Sequence, residues 1–198
     1  MKLDWEYVVG GIVTLALSLM KYFSKDKKDI MELRQIEALE NKIAIKEELN
    51  HLKRDTESPR VLLLYTKNSG DYPDVGTPLK INILEESLDN EVISHLDLIE
   101  DLLTDHQYNV LLRKLHAENM VYVRRKGMEE GILKQFFREF YIESAYIIKV
   151  GAVGKRFYYI SVSWYEEKEI TDKIELYSRL RASKIYKRLL WDLQRIFH

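Results

Sequence analysis

The sequence predicts an α+β chain in three successive parts. These are an N-terminal transmembrane helix over 1–23, a helical stalk over 24–58, and an antiparallel sheet with helices on its faces over 59–198. Three observations carry this reading. Leu3–Phe23 surrounds an uncharged apolar run from Tyr7 to Met20. No glycine or proline interrupts the charged, helix-forming segment between Ser24 and Ser58. Beyond Pro59, β-branched and aromatic runs alternate with segments whose apolar residues recur at three- and four-residue spacing.

From Leu3 to Phe23 a helix would measure about 31 Å at 1.5 Å per residue, close to the hydrocarbon thickness of a bilayer. Asp4 and Glu6 would then sit at one interface and Lys21 would snorkel at the other, with Trp5, Tyr7, Tyr22 and Phe23 as interfacial aromatics. Gly10, Thr14 and Ser18 recur every fourth residue, so one stripe of small side chains is available for packing against another membrane helix. A cleaved signal peptide fits less well, because Asp4 and Glu6 offset Lys2 and leave no basic leading region. A buried core helix is the remaining alternative. Lys21, Lys25, Lys27 and Lys28 crowd the C-terminal flank, so the positive-inside rule places the bulk of the chain in the cytoplasm, single-pass in the inner membrane. Membrane lipid is the first partner this implies.

The chain has 198 residues, 46% hydrophobic and 32% charged, enough for one globular domain of about 140 residues beyond anchor and stalk. A net charge of −1 argues against nucleic acid as a partner. Charge is nevertheless unevenly placed. Ile81–Asp105 carries eight acids and no Lys or Arg, whereas Arg179–Arg195 carries six bases against Asp192. Both are expected as solvated helix faces, the basic one being suited to anionic lipid or an acidic partner. The absence of cysteine agrees with a reducing compartment.

In the stalk, Ile30, Leu33, Ile36, Leu39 and Ile43 mark one apolar stripe, and Ile45, Leu49 and Leu52 resume it after a phase slip. Fewer than three heptads keep register, which predicts a helix that pairs locally and not a long coiled coil. Pairing of two copies through anchor and stalk is the oligomer this suggests.

In the domain, Arg60–Lys67 reads as a buried strand, Asn68–Gly76 as a turn, and Leu79–Leu84 as a second strand. Val92, Leu96, Ile99 and Leu103 predict a helix over 91–103, and Tyr108, Leu111, Leu112 and Leu115 another over 107–118. Met120–Arg125 alternates as a strand, and Ile132–Tyr141 presents Ile132, Leu133, Phe136, Phe137 and Phe140 as a core-facing helix. Ser144–Val150 and Arg156–Tyr165, joined by Gly151–Gly154, read as a hairpin. Its second strand places Tyr158, Ile160, Val162 and Trp164 on one face and Phe157, Tyr159, Ser161 and Ser163 on the other. Asp172, with Glu175 three residues on, is expected to cap a final helix to about Phe197 whose Tyr186, Leu189, Leu193 and Ile196 pack beside the stalk.

With VLLLYTKNSG, FYYISVSWYE and the terminal helix in this order of elements, residues 50–198 resemble a GAF/PAS-type sensory domain. The resemblance implies an antiparallel sheet with helical cover, entered and left by long helices, that binds a small molecule or protein. More loosely, a single span followed by a small globular domain resembles the large single-span holins of tailed phages. That resemblance implies a lysis protein, but with the domain outside the inner membrane, whereas the lysines here place it inside.

Chemical motifs are missing. There is no G-x-S-x-G, and His51, His95, His106, His116 and His198 stand in separate polar surroundings. Neither Gly127–Gly131 nor Gly151–Gly154 fits a phosphate-binding loop. Asp97, Asp101 and Asp105 would share one helix face, without a loop to wrap a cation, and so predict no metal site. Arg124-Arg125-Lys126 is expected as a surface loop. The expected pocket is lined by Phe136, Phe140, Tyr146, Tyr158 and Trp164 between sheet and helices. No catalytic residue and no cofactor are expected. The reading is a membrane-anchored, non-enzymatic sensor, regulatory or interaction protein. A holin-like permeabilising protein and a structural membrane adaptor are the alternatives.

Overall fold

The structure, a computed structural model, describes residues 34–68, 79–92, 94, 99–154 and 156–196, except for the side chains of 192–196. The anchor over 1–23, including Gly10, Thr14 and Ser18, lies outside the described residues, as does 24–33 of the stalk. Among the described residues no helix is long and apolar enough to cross a membrane. Residues 43–198 form one compact unit.

Helix α1 (residues 34–56) is unbroken through the phase slip, and the slip is a change of face. Ile36, Leu39 and Ile43 are exposed, whereas Ile45, Leu49 and Leu52 are buried. Strands β1 (Arg60–Asn68) and β2 (Leu79–Leu88) follow, then the two-residue edge strand β3 (Leu102–Leu103), helix α2 (His106–Glu118), strand β4 (Met120–Arg124) and helix α3 (Ile132–Glu139). Strands β5 (Ser144–Val153) and β6 (Arg156–Trp164) and helix α4 (Asp172–Ile196) complete the chain. The six strands form one antiparallel sheet in the order β3-β2-β1-β6-β5-β4.

Both faces of this sheet are buried, which is why the alternation along β6 gives no polar side. Val61, Leu63, Ile148, Tyr158, Ile160 and Val162 pack with Leu49 and Leu52 of α1 and Ile185 and Leu189 of α4. Leu62, Leu64, Ile81, Ile147 and Tyr159 face the other way, toward Leu111, Leu112 and Leu115 of α2 and Phe137 of α3. On the first side Arg181 of α4 bridges Glu48 (2.7 Å) and Asp55 (3.2 Å) of α1, and Trp164 Nε1 donates to the Thr56 carbonyl (3.3 Å). At the β5 bulge, a Cβ on Gly151 (φ +150°) would lie 2.5 Å from the Tyr186 ring, so only glycine lets α4 seat there.

Two sequence expectations give way. The helix over 91–103 is absent at the described residues of that segment: Glu91 is in a turn and Leu102–Leu103 pair with β2. Asp101 sits at φ +54°, incompatible with a continuing helix, and its N–H donates to Asn82 Oδ1 (3.0 Å). The helical carboxylate row therefore does not form, and Asp97 lies outside the described residues. In place of Asp172, the final helix is capped by Thr171, whose hydroxyl accepts from the Ile174 N–H (3.3 Å).

Candidate ligand cavity between the sheet and helices α2 and α3

The α2/α3 side of the sheet encloses a cavity of about 30 Å³. Its walls are Leu62, Leu64 and Ile147 of the sheet, Leu111 of α2, and Leu133 and Phe136 of α3. Three hydroxyl-bearing residues also line it: Tyr108, Tyr159 and Ser161. Tyr108 and Tyr159 are hydrogen-bonded to each other across the space, hydroxyl to hydroxyl at 2.7 Å, and both are buried. Burial pushes the Tyr108 phenol up to about 12 and the Tyr159 phenol well above its ordinary value. Both therefore stay neutral at physiological pH, each able to donate or accept.

One carboxylate holds the two covering helices. Asp105 Oδ1 accepts from the Tyr108 N–H (2.8 Å), capping α2, and Oδ2 accepts from the Ile132 N–H (2.7 Å), capping α3. Gly131 permits that approach, since a Cβ there would stand 2.4 Å from Asp105 Oδ2. Helix α3 has eight residues, and Phe137 alone among them is fully buried. It is the least embedded wall of the cavity.

The five aromatic residues expected to line a pocket do not converge. Phe136 lines the cavity. Phe140 packs edge-on against Phe136 (4.3 Å between centroids) and lies under the Arg60 guanidinium (5.1 Å), beside an open groove shared with Tyr141 and Tyr165. Tyr146, Tyr158 and Trp164 point to the opposite face and are core contacts of the α1/α4 side. Two of the cavity's hydroxyl-bearing residues, Tyr159 and Ser161, sit on the less apolar face of β6, and the third, Tyr108, is on α2. The signal was present in the sequence: Tyr159 and Ser161 alternate with the apolar set and are spaced to share one wall.

The acidic stretch is not the solvated helix face expected: Glu85 and Glu86 are buried on β2, and Glu85, Asp89 and Asp101 are in ion pairs. Glu85 pairs with Lys46 (3.1 Å), Asp89 with Lys53, and Asp101 with Lys67 (2.6 Å) and Lys80 (3.0 Å). The hydrogen bonds from Lys67 and then Lys80 pull the Asp101 carboxyl down to about 2. No group of acids and histidines able to hold a metal ion occurs among the described residues. Arg124 and Arg125 pair with Glu167 and Glu143, at the end of β4 and just beyond it.

No family model matches the chain, and no curated protein does. Solved structures do. A phycocyanobilin-bound GAF domain from a cyanobacterial phytochrome matches with a TM-score of 0.58 at 12% identity, covering 100% of both chains. The photoproduct state of GAF3 from Slr1393 of Synechocystis sp. PCC6803 matches at 0.59 and 10% identity, over 80% of this chain and 99% of that one. The blue-light-absorbing form of the PixJ GAF domain of Thermosynechococcus elongatus matches at 0.55 and 14% identity, over 81% and 93%. Identities this low speak for the fold alone. The described domain has a GAF-like fold, and these matches lend no support to the holin resemblance.

Proposed function

We propose that this chain is a sensory or regulatory protein. Its domain takes up a small, largely apolar ligand by displacing α3 and reports through α1 and α4. The observation that carries this reading is the sheet's double burial: along β6, Tyr159 borders the cavity while Tyr158 and Ile160 pack against the other helical layer. A close-packed strand shared by two cores passes a displacement on one side to the other. The domain acts by binding and not by turnover, and residues 1–23 hold it at the inner membrane with the domain in the cytoplasm.

Phycocyanobilin, named with one structural neighbour, does not fit the residues present. Cofactor pockets run to about 300 Å³ and more, against about 30 Å³ here. We assign no bilin to this chain.

The test is Phe137→Ala, which removes the buried contact of α3, in the full-length protein. Hydrogen exchange then reads α3 and, separately, the amides of α1 and α4. Faster exchange in all three supports the relay. Opening of α3 with α1 and α4 unchanged refutes it. The tether is tested independently: a chain released from membranes by alkaline carbonate is not held by a spanning helix.

A further inference from the structure

Strand β4 is one edge of the sheet, and among the described residues no strand pairs with its outer side. The opposite edge, β3, has two residues and offers another strand little to pair with, whereas β4 has five. The Asn119 carbonyl accepts from the Lys149 N–H and the Arg125 N–H donates to the Glu143 carbonyl, each at 2.8 Å. The peptide groups at both ends of β4 therefore face β5. Direction alternates along a strand, so the N–H and C=O of Met120, Tyr122 and Arg124 face outward. No proline, lysine or bulge guards this row. Its one base, Arg124, is engaged by Glu167 at 2.7 Å.

We propose that β4 pairs antiparallel with β4 of a second copy, joining two domains in one continuous sheet. The strand's own sequence selects that occupant. Val121-Tyr122-Val123 reads alike in both directions. A two-fold axis at Tyr122 thus sets the two Tyr122 residues opposite each other and Val121 opposite the partner's Val123. Met120 comes opposite the partner's Arg124, so no like charges face each other. The Tyr122 pair and the two Met120–Arg124 pairs each exchange both N–H···O bonds. Side chains match as well. Met120 and Tyr122 pack with the α1/α4 layer, and Val121 and Val123 with the α2/α3 layer, so both apolar layers run on across the junction. The axis is normal to the sheet and keeps α1 and α4 of both copies on one side of it. A peptide or an unrelated strand would need none of this two-fold match. The inference rests on β4 alone and is independent of the ligand relay proposed above.

The chain contains no cysteine, so one can be placed at a chosen point in each copy. Val121 and the partner's Val123 form a non-hydrogen-bonded pair with Cα atoms about 4.5 Å apart, within disulfide range. Full-length Val121→Cys and Val123→Cys chains are oxidised separately and after mixing. The mixture should give several-fold more cross-linked dimer than either chain alone, because like positions lie on a diagonal about 7–8 Å apart. Tyr122→Lys in both chains should abolish the dimer. Tyr122→Lys in one and Tyr122→Glu in the other should restore it, since opposite charges then meet at the axis. Both substitutions lose the Tyr122 hydroxyl bond to the Lys168 carbonyl (2.7 Å), so that loss cannot explain the difference. No dimer from the mixture overturns the inference. So does equal yield from each chain alone, which would report another contact, or a dimer that persists with lysine in both copies. Hydrogen exchange of the unsubstituted protein gives a second reading. The Tyr122 amide should slow several-fold as concentration rises and the mass doubles. Fast exchange in the dimer overturns the pairing, and protection in the monomer does so too, since the chain itself would then cover the edge.

Discussion

Asp105 is the residue on which the cover of the cavity depends, and replacing it gives a test with a size attached. Asp105→Ala removes the acceptors of the Tyr108 and Ile132 N–H groups. Loss of an N-cap costs about 1 kcal/mol, and a hydrogen bond to a charged group about 1.5–3 kcal/mol. Two such bonds on two helices give about 2–4 kcal/mol. For a domain of this size that corresponds to a fall in Tm of roughly 5–15 °C. Asp105→Asn keeps one carbonyl oxygen and must turn its amide toward the other N–H, so it should recover at most half the loss. Gly131→Ala reaches the same junction from the other side by pushing on Oδ2, and its cost should shrink sharply when Asp105 is already alanine. Urea denaturation of the full-length protein, followed by far-UV circular dichroism, measures all four. Hydrogen exchange should show the amides of α3 losing more protection than those of β6. A destabilisation below about 0.5 kcal/mol for Asp105→Ala would refute the shared cap. Full additivity with Gly131→Ala would do the same.

Two further predictions concern buried and paired polar groups. Tyr159→Phe leaves the Tyr108 hydroxyl without its partner in an apolar wall and should cost about 1–3 kcal/mol, as should Tyr108→Phe. The double variant should cost less than the sum, and strict additivity in denaturation would show that the 2.7 Å bond carries no coupling. Asp101, held near 2 by Lys67 and Lys80, has a folded pKa below its ordinary 3.8. Its contribution to stability is therefore complete above about pH 4 and is lost as pH falls toward 2. Asp101→Asn should flatten that part of the acid-stability curve, and an unchanged curve would exclude the ion pairs as its source.

Much of the domain was legible because its periods are unambiguous. Tyr108, Leu111, Leu112 and Leu115 keep helical spacing and are all buried in α2. The two runs around Gly151–Gly154 form the expected hairpin. Where the period misled, a local backbone requirement prevailed. Val92, Leu96, Ile99 and Leu103 keep helical spacing in the sequence, yet Asp101 adopts a left-handed conformation and the Leu102–Leu103 pair joins the sheet edge. Asp101 holds its place through Lys67 and Lys80, residues that no local window connects to it. The same distance hid the partners of the acidic stretch, which lie on α1 and on neighbouring strands. The five aromatic residues are divided between two layers for another reason. Alternation separates Tyr158 from Tyr159, but it cannot tell which face meets α2 and α3, so Tyr146, Tyr158 and Trp164 pack on the α1/α4 side while Phe136 lies on the other.

The cavity's chemistry constrains what could open it. A ligand shifts a two-state domain only as far as it binds one state better than the other. The opening proposed above would part α3 from the sheet and bring a guest against Leu62, Leu64, Ile147 and Phe136, so an apolar body would gain from entry. A guest wide enough to part Tyr108 from Tyr159 must also replace the bond between them. A pure hydrocarbon would leave two buried hydroxyls unsatisfied, at about 1–3 kcal/mol each. A guest carrying one hydroxyl, carbonyl or N–H at its edge would not. The phenols remain neutral at physiological pH, so they offer nothing to a full charge that would repay its desolvation. The geometry therefore favours a compact, neutral, mostly apolar guest with a single hydrogen-bonding group. Loss of that selectivity in the Tyr108→Phe, Tyr159→Phe double variant, read as equal uptake of phenol and benzene, is the behaviour expected of such a site.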